Sequence, residues 1–154
     1  MASQRNYVAS NRIREVDFRA SREARALAKQ ILTGPLETEH RQRVAQELCD
    51  ALCDGAAMDI IARVTISDAH QYHKKRGGRT VFKQYGYYKP ATRYVYITNR
   101  TAVRGQLLAA KTFLDTLLHE WVHHYDSVRL GLDSIHTSGF YARLQSLKAT
   151  LRIR

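Results

Sequence analysis

The sequence is short of the features that would place it in several common classes. It has two cysteines, Cys49 and Cys53, among 154 residues, too few for a disulfide-built secreted domain. No apolar run approaches the roughly 20 residues of a membrane span. The N-terminus, MASQRNYVASNR, lacks the apolar stretch of a secretory signal. Internal repeats and low-complexity tracts are missing as well. With 44% apolar and 25% charged residues, the composition is that of a globular chain and not of a disordered tail. A chain of this length buries about two thirds of its unfolded surface, so one core suffices without staples. Together these absences lead us to expect a non-membrane, cytoplasmic protein in a reducing compartment. The i, i+4 spacing of the cysteines puts both on one helix face. It reads either as half a metal site or, preferably, as two small apolar core residues.

Acidic residues are missing from one long window. Between Ala69 and Lys111 there is no Asp or Glu, while ten Lys and Arg residues lie there. The formal net charge of the chain is +11, so nearly all of the imbalance belongs to this stretch. Seven aromatics interleave it: Tyr72, Phe82, Tyr85, Tyr87, Tyr88, Tyr94 and Tyr96. Cations alternating with stacking surfaces suit single-stranded or irregular DNA or RNA, bound through salt-dependent phosphate attraction. The competing reading is a solvated sheet whose edge lysines discourage aggregation and whose tyrosines favour strands.

Periodicity supplies the elements. Residues 1–16 show no clear period and read as a loose start. Residues 17–33 read as a basic helix, broken at Gly34-Pro35. A second helix runs to about Asp54, with Val44, Leu48 and Leu52 on one face. From 60 to 68 the period falls to two, predicting a strand with Ile60, Ala62, Val64 and Ile66 on its apolar face. A basic loop is expected at 74–79. Strands at 80–88 and 93–98 then form an antiparallel hairpin around a turn at Lys89-Pro90-Ala91-Thr92. After a linker at 99–105, a long helix is predicted over 106–129 and a last one over 137–150. This order gives an α+β fold with a small three-stranded sheet that includes antiparallel pairing. Residues 1–57 would be a helical segment packed on a core formed by 58–154.

The long helix carries His119-Glu120-Trp121-Val122-His123, an H-E-x-x-H motif. Histidines at i and i+4 share one helix face and can chelate a single ion, for which Zn²⁺ is well suited. Glu120 is offset by one residue. It can act as general base toward a water activated by the metal, which is the chemistry of amide hydrolysis. A catalytic zinc needs a third protein ligand. The pattern H-E-x-x-H-x-x-G-x-x-H fails, because Asp126 and Arg129 stand where Gly and His would be required. No Glu follows Glu120. That leaves His124, Asp126, Asp133 and His136. His136, beyond a chain reversal at Gly131, is the preferred ligand, with Asp126 and Asp133 behind it. A group to stabilise the oxyanion is also required, and Tyr141, His124 and Tyr125 all remain open for that role.

LLHEWVHHYD, followed after a gap by His136-Thr137-Ser138-Gly139-Phe140, resembles the SprT-like zinc metalloproteases, which include the Spartan proteases. The upstream GYYKPATRYVYI resembles the strands that precede the active-site helix in that family. The resemblance covers roughly residues 58–150. It implies a zincin-like fold, one Zn²⁺ held by His119, His123 and His136, and Glu120 as the general base. It also implies a protein or peptide substrate, since family members cleave proteins attached to DNA. Many relatives carry a further zinc module of paired C-x-x-C motifs. The sequence has none, so the basic window at 69–111 is the visible candidate for nucleic-acid contact. The expectation is therefore a zinc metallopeptidase, acting on nucleic-acid-associated proteins. The alternative is a basic nucleic-acid-binding module with a structural or vestigial zinc, and a zinc hydrolase of non-protein amides ranks third.

Overall fold

A computed structural model describes residues 2–70, 73–76, 79–83, 85–101 and 104–153. Five helices and five strands follow one another along the chain. Helices α1 (Ala2–Arg12), α2 (Arg22–Thr33) and α3 (Thr38–Gly55) precede strands β1 (Arg63–His70), β2 (His73–Arg76), β3 (Arg79–Lys83), β4 (Gly86–Lys89) and β5 (Tyr94–Arg100). Helices α4 (Ala110–Val128) and α5 (Ser138–Thr150) close the chain. The architecture is α+β with a three-stranded mixed sheet of order β1-β5-β4 and a separate two-stranded sheet, β2-β3.

Helix α2 starts where Ser21 accepts a hydrogen bond from the Ala24 N–H at 3.1 Å, a side-chain N-cap. It buries Ala24, Leu27, Ala28 and Ile31, a stripe of helical period. Helix α3 buries Val44, Ala45, Leu48, Cys49, Leu52 and Cys53 against it. Both thiols are free and buried in this core, and the Trp121 indole N–H donates to Cys53 Sγ at 3.4 Å.

Strands β1 and β5 run parallel, with Val64 opposite Val95 and Ile66 opposite Ile97. These four side chains form the buried face of the sheet. Tyr87, Tyr94 and Tyr96 alternate with the buried positions and so occupy the other face. The outer edge of β1 is closed by α3. Gln42 donates to the Val64 carbonyl and accepts from the Ile66 N–H, both at 2.7 Å, and Gln46 accepts from the Val64 N–H at 3.2 Å. The opposite edge strand, β4, lies beside α4. Buried apolar side chains from 1–57 and 58–154 join in one continuous cluster.

Several expectations change. Residues 2–12 are helical, not loose, and Ser10 is the one fully buried side chain described in α1. The first strand begins at Arg63. Ile60 is 56% exposed, whereas Ile61 enters the core. The supposed loop at 74–79 lies largely in a second antiparallel pair, Lys74 opposite Phe82 and Arg76 opposite Arg79. Gly77-Gly78 between two short runs is a hairpin signature, read too narrowly as a loop; those two glycines lie outside the described residues. The expected 80–88 strand divides between the two sheets. The β4–β5 hairpin holds, and its turn ends at Arg93 in the left-handed region, φ 51°. Among the described residues no helix is long and apolar enough to cross a membrane.

Candidate metal centre

Helix α4 is apolar on most sides. Phe113, Leu114, Leu117, Leu118, Trp121, Val122 and Tyr125 are buried. Its face toward β4 and α5 presents His119, Glu120 and His123 to a cleft of about 730 Å³, lined also by Gly86, Tyr88, Asp133, Ser134, His136 and Tyr141. The segment 129–137 leaves α4 through Gly131 at φ +65°, a left-handed position that glycine adopts without strain. It returns to the N-cap of α5. There Thr137 Oγ1 accepts from the Phe140 N–H at 3.0 Å, so His136 sits immediately before the cap.

The return brings three imidazoles together. His136 Nε2 lies 3.1 Å from His119 Nε2 and 3.0 Å from His123 Nε2. His119, His123 and His136 are the one group of three ligand-type side chains, among the described residues, close enough to bind a metal ion. Phe140 is the floor beneath them. Its ring centroid lies 4.9, 4.6 and 5.2 Å from those of His119, His123 and His136. Burial together with the neighbouring rings lowers His119 to about 4 and His123 to about 3. Both are thus neutral at physiological pH, the form that ligates metals.

One of the three imidazoles is braced from behind. His123 Nδ1 lies 2.8 Å from Ser134 Oγ, and Ser134 donates its own proton to Asp126 Oδ2 at 2.7 Å. The Ser134 hydrogen is therefore committed, and Nδ1 must be the donor, leaving Nε2 with its lone pair toward the cleft. Asp126 is held by Arg143 through two bonds of 2.9 Å, Nε to Oδ1 and Nη2 to Oδ2, with both side chains fully buried. Burial pushes the Asp126 carboxyl up, and the bonds from Arg143 and Ser134 pull it back. Glu120 lines the cleft but is only 6% exposed. Burial raises its carboxyl to about 8.

The remaining candidates fall elsewhere. Asp126 is spent on Arg143 and Ser134 and is not a ligand. Asp133 lines the cleft outside the histidine group. His124 turns away, with Nδ1 2.7 Å from the Tyr88 hydroxyl and Nε2 2.8 Å from the Asp59 carbonyl. Tyr125 donates to Asp17 at 2.9 Å on the far side of α4. Of the three groups considered for the oxyanion, only Tyr141 lines the cleft. It is 46% exposed, with its ring 6.2 Å from His119 and 5.9 Å from His136. Sequence reasoning missed Ser134, Arg143 and Tyr88. An H-E-x-x-H motif demands hydrogen-bond partners for its imidazoles, but spacing alone does not say which residues supply them.

The basic window is less bare than its composition implies. Arg93 pairs with Asp59 at 3.0 Å, Arg100 with Asp68 at 3.4 Å and Lys111 with Asp115 at 3.3 Å. All three acids lie outside the window. The side chains of Lys74, Lys75, Arg76, Arg79 and Lys83 fall outside the described set, as does Tyr72.

No protein-family model, curated protein or solved structure matches this chain, so the reading of the site rests on its own geometry.

Proposed function

We propose that the protein is a zinc-dependent metallopeptidase of zincin-like architecture, similar to the SprT-like proteases, with Glu120 as its general base. The observation that carries this reading is the convergence of three imidazoles beside a buried carboxyl in one cleft. Tetrahedral zinc with Zn–N bonds of about 2.0–2.1 Å sets its nitrogens about 3.3–3.4 Å apart. The separations from His136 Nε2, 3.0 and 3.1 Å, lie within a few tenths of that. An all-imidazole donor set also suits zinc over magnesium or calcium. Held by His119, His123 and His136, zinc would supply Lewis-acid polarisation of a scissile carbonyl and lower the pKa of water.

The chain's own residues do the rest. Glu120, a buried carboxyl on the cleft wall, would as carboxylate take a proton from the attacking water and return it to the leaving amine. The Tyr141 hydroxyl donates to the oxygen on which charge develops. Strand β4 offers its edge to an extended peptide. Thr98 N–H donates to the Tyr85 carbonyl at 2.8 Å, and alternation along an antiparallel pair then directs the main-chain groups of Tyr88 away from β5, toward the cleft. Because Gln42 and Gln46 close the other edge of the sheet, strand addition is confined to the side that holds the histidines. The free, buried thiols suit a reducing, cytoplasmic location.

The test is metal analysis followed by cleavage of casein, with and without DNA. About one zinc per chain is expected. Glu120→Gln should retain it and lose at least about 100-fold in kcat. A chain purified without chelator that contains no zinc would falsify the reading.

A second reading, a nucleic-acid partner, is favoured by the outer face of the sheet. Tyr87 stacks on Tyr96 with centroids 5.1 Å apart, and Tyr94 meets Tyr87 edge-on at 6.1 Å. Partly exposed tyrosine rings on one sheet face suit stacking with nucleobases. Binding of single-stranded oligonucleotide should weaken with salt and with Tyr87→Ala. Equal binding by that variant would remove the face from consideration.

A further inference from the structure

Helix α1 is docked in an unusual way. Its one buried described side chain is Ser10, and it contributes no apolar residue to the core. A helix of 11 residues has little stability alone, so its contacts must hold it. Those contacts are polar, and they converge on the few residues that bracket His136.

Asn6 makes two bonds to the main chain of Asp133, donating to its carbonyl at 2.7 Å and accepting from its N–H at 2.8 Å. Ser10 Oγ meets Thr137 Oγ1 at 2.7 Å. Asn11 Oδ1 accepts from the Ser138 hydroxyl at 2.9 Å and the Gly139 N–H at 3.0 Å. Arg143 donates to the Ser10 and Ile13 carbonyls at 2.5 and 2.6 Å. Gly139 permits the approach, since a Cβ there would collide with the Ser10 carbonyl oxygen. Positions 133, 137, 138 and 139 are thus fixed by α1, while His136 lies between them.

We propose that α1 is a clasp for the third metal ligand, with Asn6 its principal positioning residue, so that docking of α1 and metal binding at His136 are coupled. The proposal rests on the metal-centre reading above. A mere prop for α5 would stabilise the fold equally with and without metal. A clasp must obey linkage: if α1 raises metal affinity, metal must tighten α1 by the same factor. The polar docking makes that coupling adjustable, because water competes for each bond once the helix lifts. Whatever draws α1 away, a partner or a cut in the connection to α2, would then loosen the metal.

The experiment uses the full chain and Zn²⁺ alone. Zinc affinity is measured by competition with a chromogenic chelator, and amide hydrogen exchange is followed in α1. Zinc should slow exchange across α1 in the wild type, and His136→Ala should abolish that response. Asn6→Ala should weaken zinc binding about tenfold, whereas Tyr7→Ala, on an exposed position of the same helix, should leave it unchanged. Wild-type protein that binds zinc with no change in α1 exchange, or equal affinity in Asn6→Ala, overturns the clasp and leaves the metal centre intact. Failure of the wild type to bind zinc overturns both.

Discussion

Helix α4 and the segment 129–137 both bring histidine to the same cleft, by opposite means. His119 and His123 stand on a helix whose other faces are packed with Leu117, Trp121 and Tyr125, so their separation is fixed by helical geometry and by the core. His136 stands on irregular chain. Its place depends on polar side chains of the segment itself and of α1: Thr137 as a cap, Ser134 tied to Asp126, and Asn6 and Asn11 from the opposite end of the sequence. A histidine pair borrowed from a helix is therefore inherited with the fold. A histidine on a connecting segment has to be held by a polar network built for it.

The sharpest way to break the contrast is at the residue that serves both regions. Asp126 belongs to α4, and its carboxylate receives Arg143 of α5 and Ser134 of the segment. Asp126→Ala leaves a fully buried guanidinium without a counter-charge, which costs about 3–5 kcal/mol. Urea unfolding should register that loss. Asp126→Ala combined with Arg143→Leu should recover part of it, because an apolar pair avoids the desolvation of both ions, while the Ser10 and Ile13 carbonyls lose their donor. If the single variant unfolds with wild-type midpoint, the buried pair does not carry the segment.

What could be read from the sequence follows the same division. His119, Glu120 and His123 were legible because helical period alone places them. His136 was only a preference, argued from a chain reversal at Gly131, with Asp126 and Asp133 kept behind it. Helix α1 was not legible, since a helix docked through Asn6, Ser10 and Asn11 shows no apolar stripe to detect. The β4–β5 hairpin announced itself through its proline turn. The parallel pairing of β1 with β5 had no local signature, because its partners are separated by three other strands. Net charge misled in one respect. A window free of acids in sequence meets Asp59, Asp68 and Asp115 in space.

The next effect separates the cost of burying Glu120 on α4 from the support of the segment. In chelated protein, burial holds Glu120 at about 8, above the ordinary carboxylate value of 4.5. A folded-state pKa raised in this way gives stability that is complete below the unfolded value and is lost as pH rises through the folded one. Glu120→Gln has no such proton to lose. The two proteins should unfold within about 1 kcal/mol of each other at pH 5, and the variant should lead by on the order of 3 kcal/mol at pH 8. His119 and His123, whose pKa values are lowered, impose the opposite slope in acid, but they do so in both proteins and cancel in the difference. A gap that stays constant from pH 5 to 8 would show that burial of this carboxyl carries no penalty.

The smallest effect on stability tests the link between the two regions. Ser134 braces an α4 histidine from within the segment, through His123 Nδ1 at 2.8 Å. Ser134→Ala removes an acceptor from His123 and a donor from Asp126, and Asp126 keeps both bonds to Arg143. Stability should therefore fall by only about 1 kcal/mol. The imidazole, by contrast, loses the partner that fixes its tautomer and ring angle, and zinc affinity should fall about 10–100-fold. Ser134→Thr retains the hydroxyl and should restore most of the affinity. A loss of affinity no larger than the loss of stability would mean that α4 orients His123 unaided, and that the helix pair needs nothing from the segment except its third ligand.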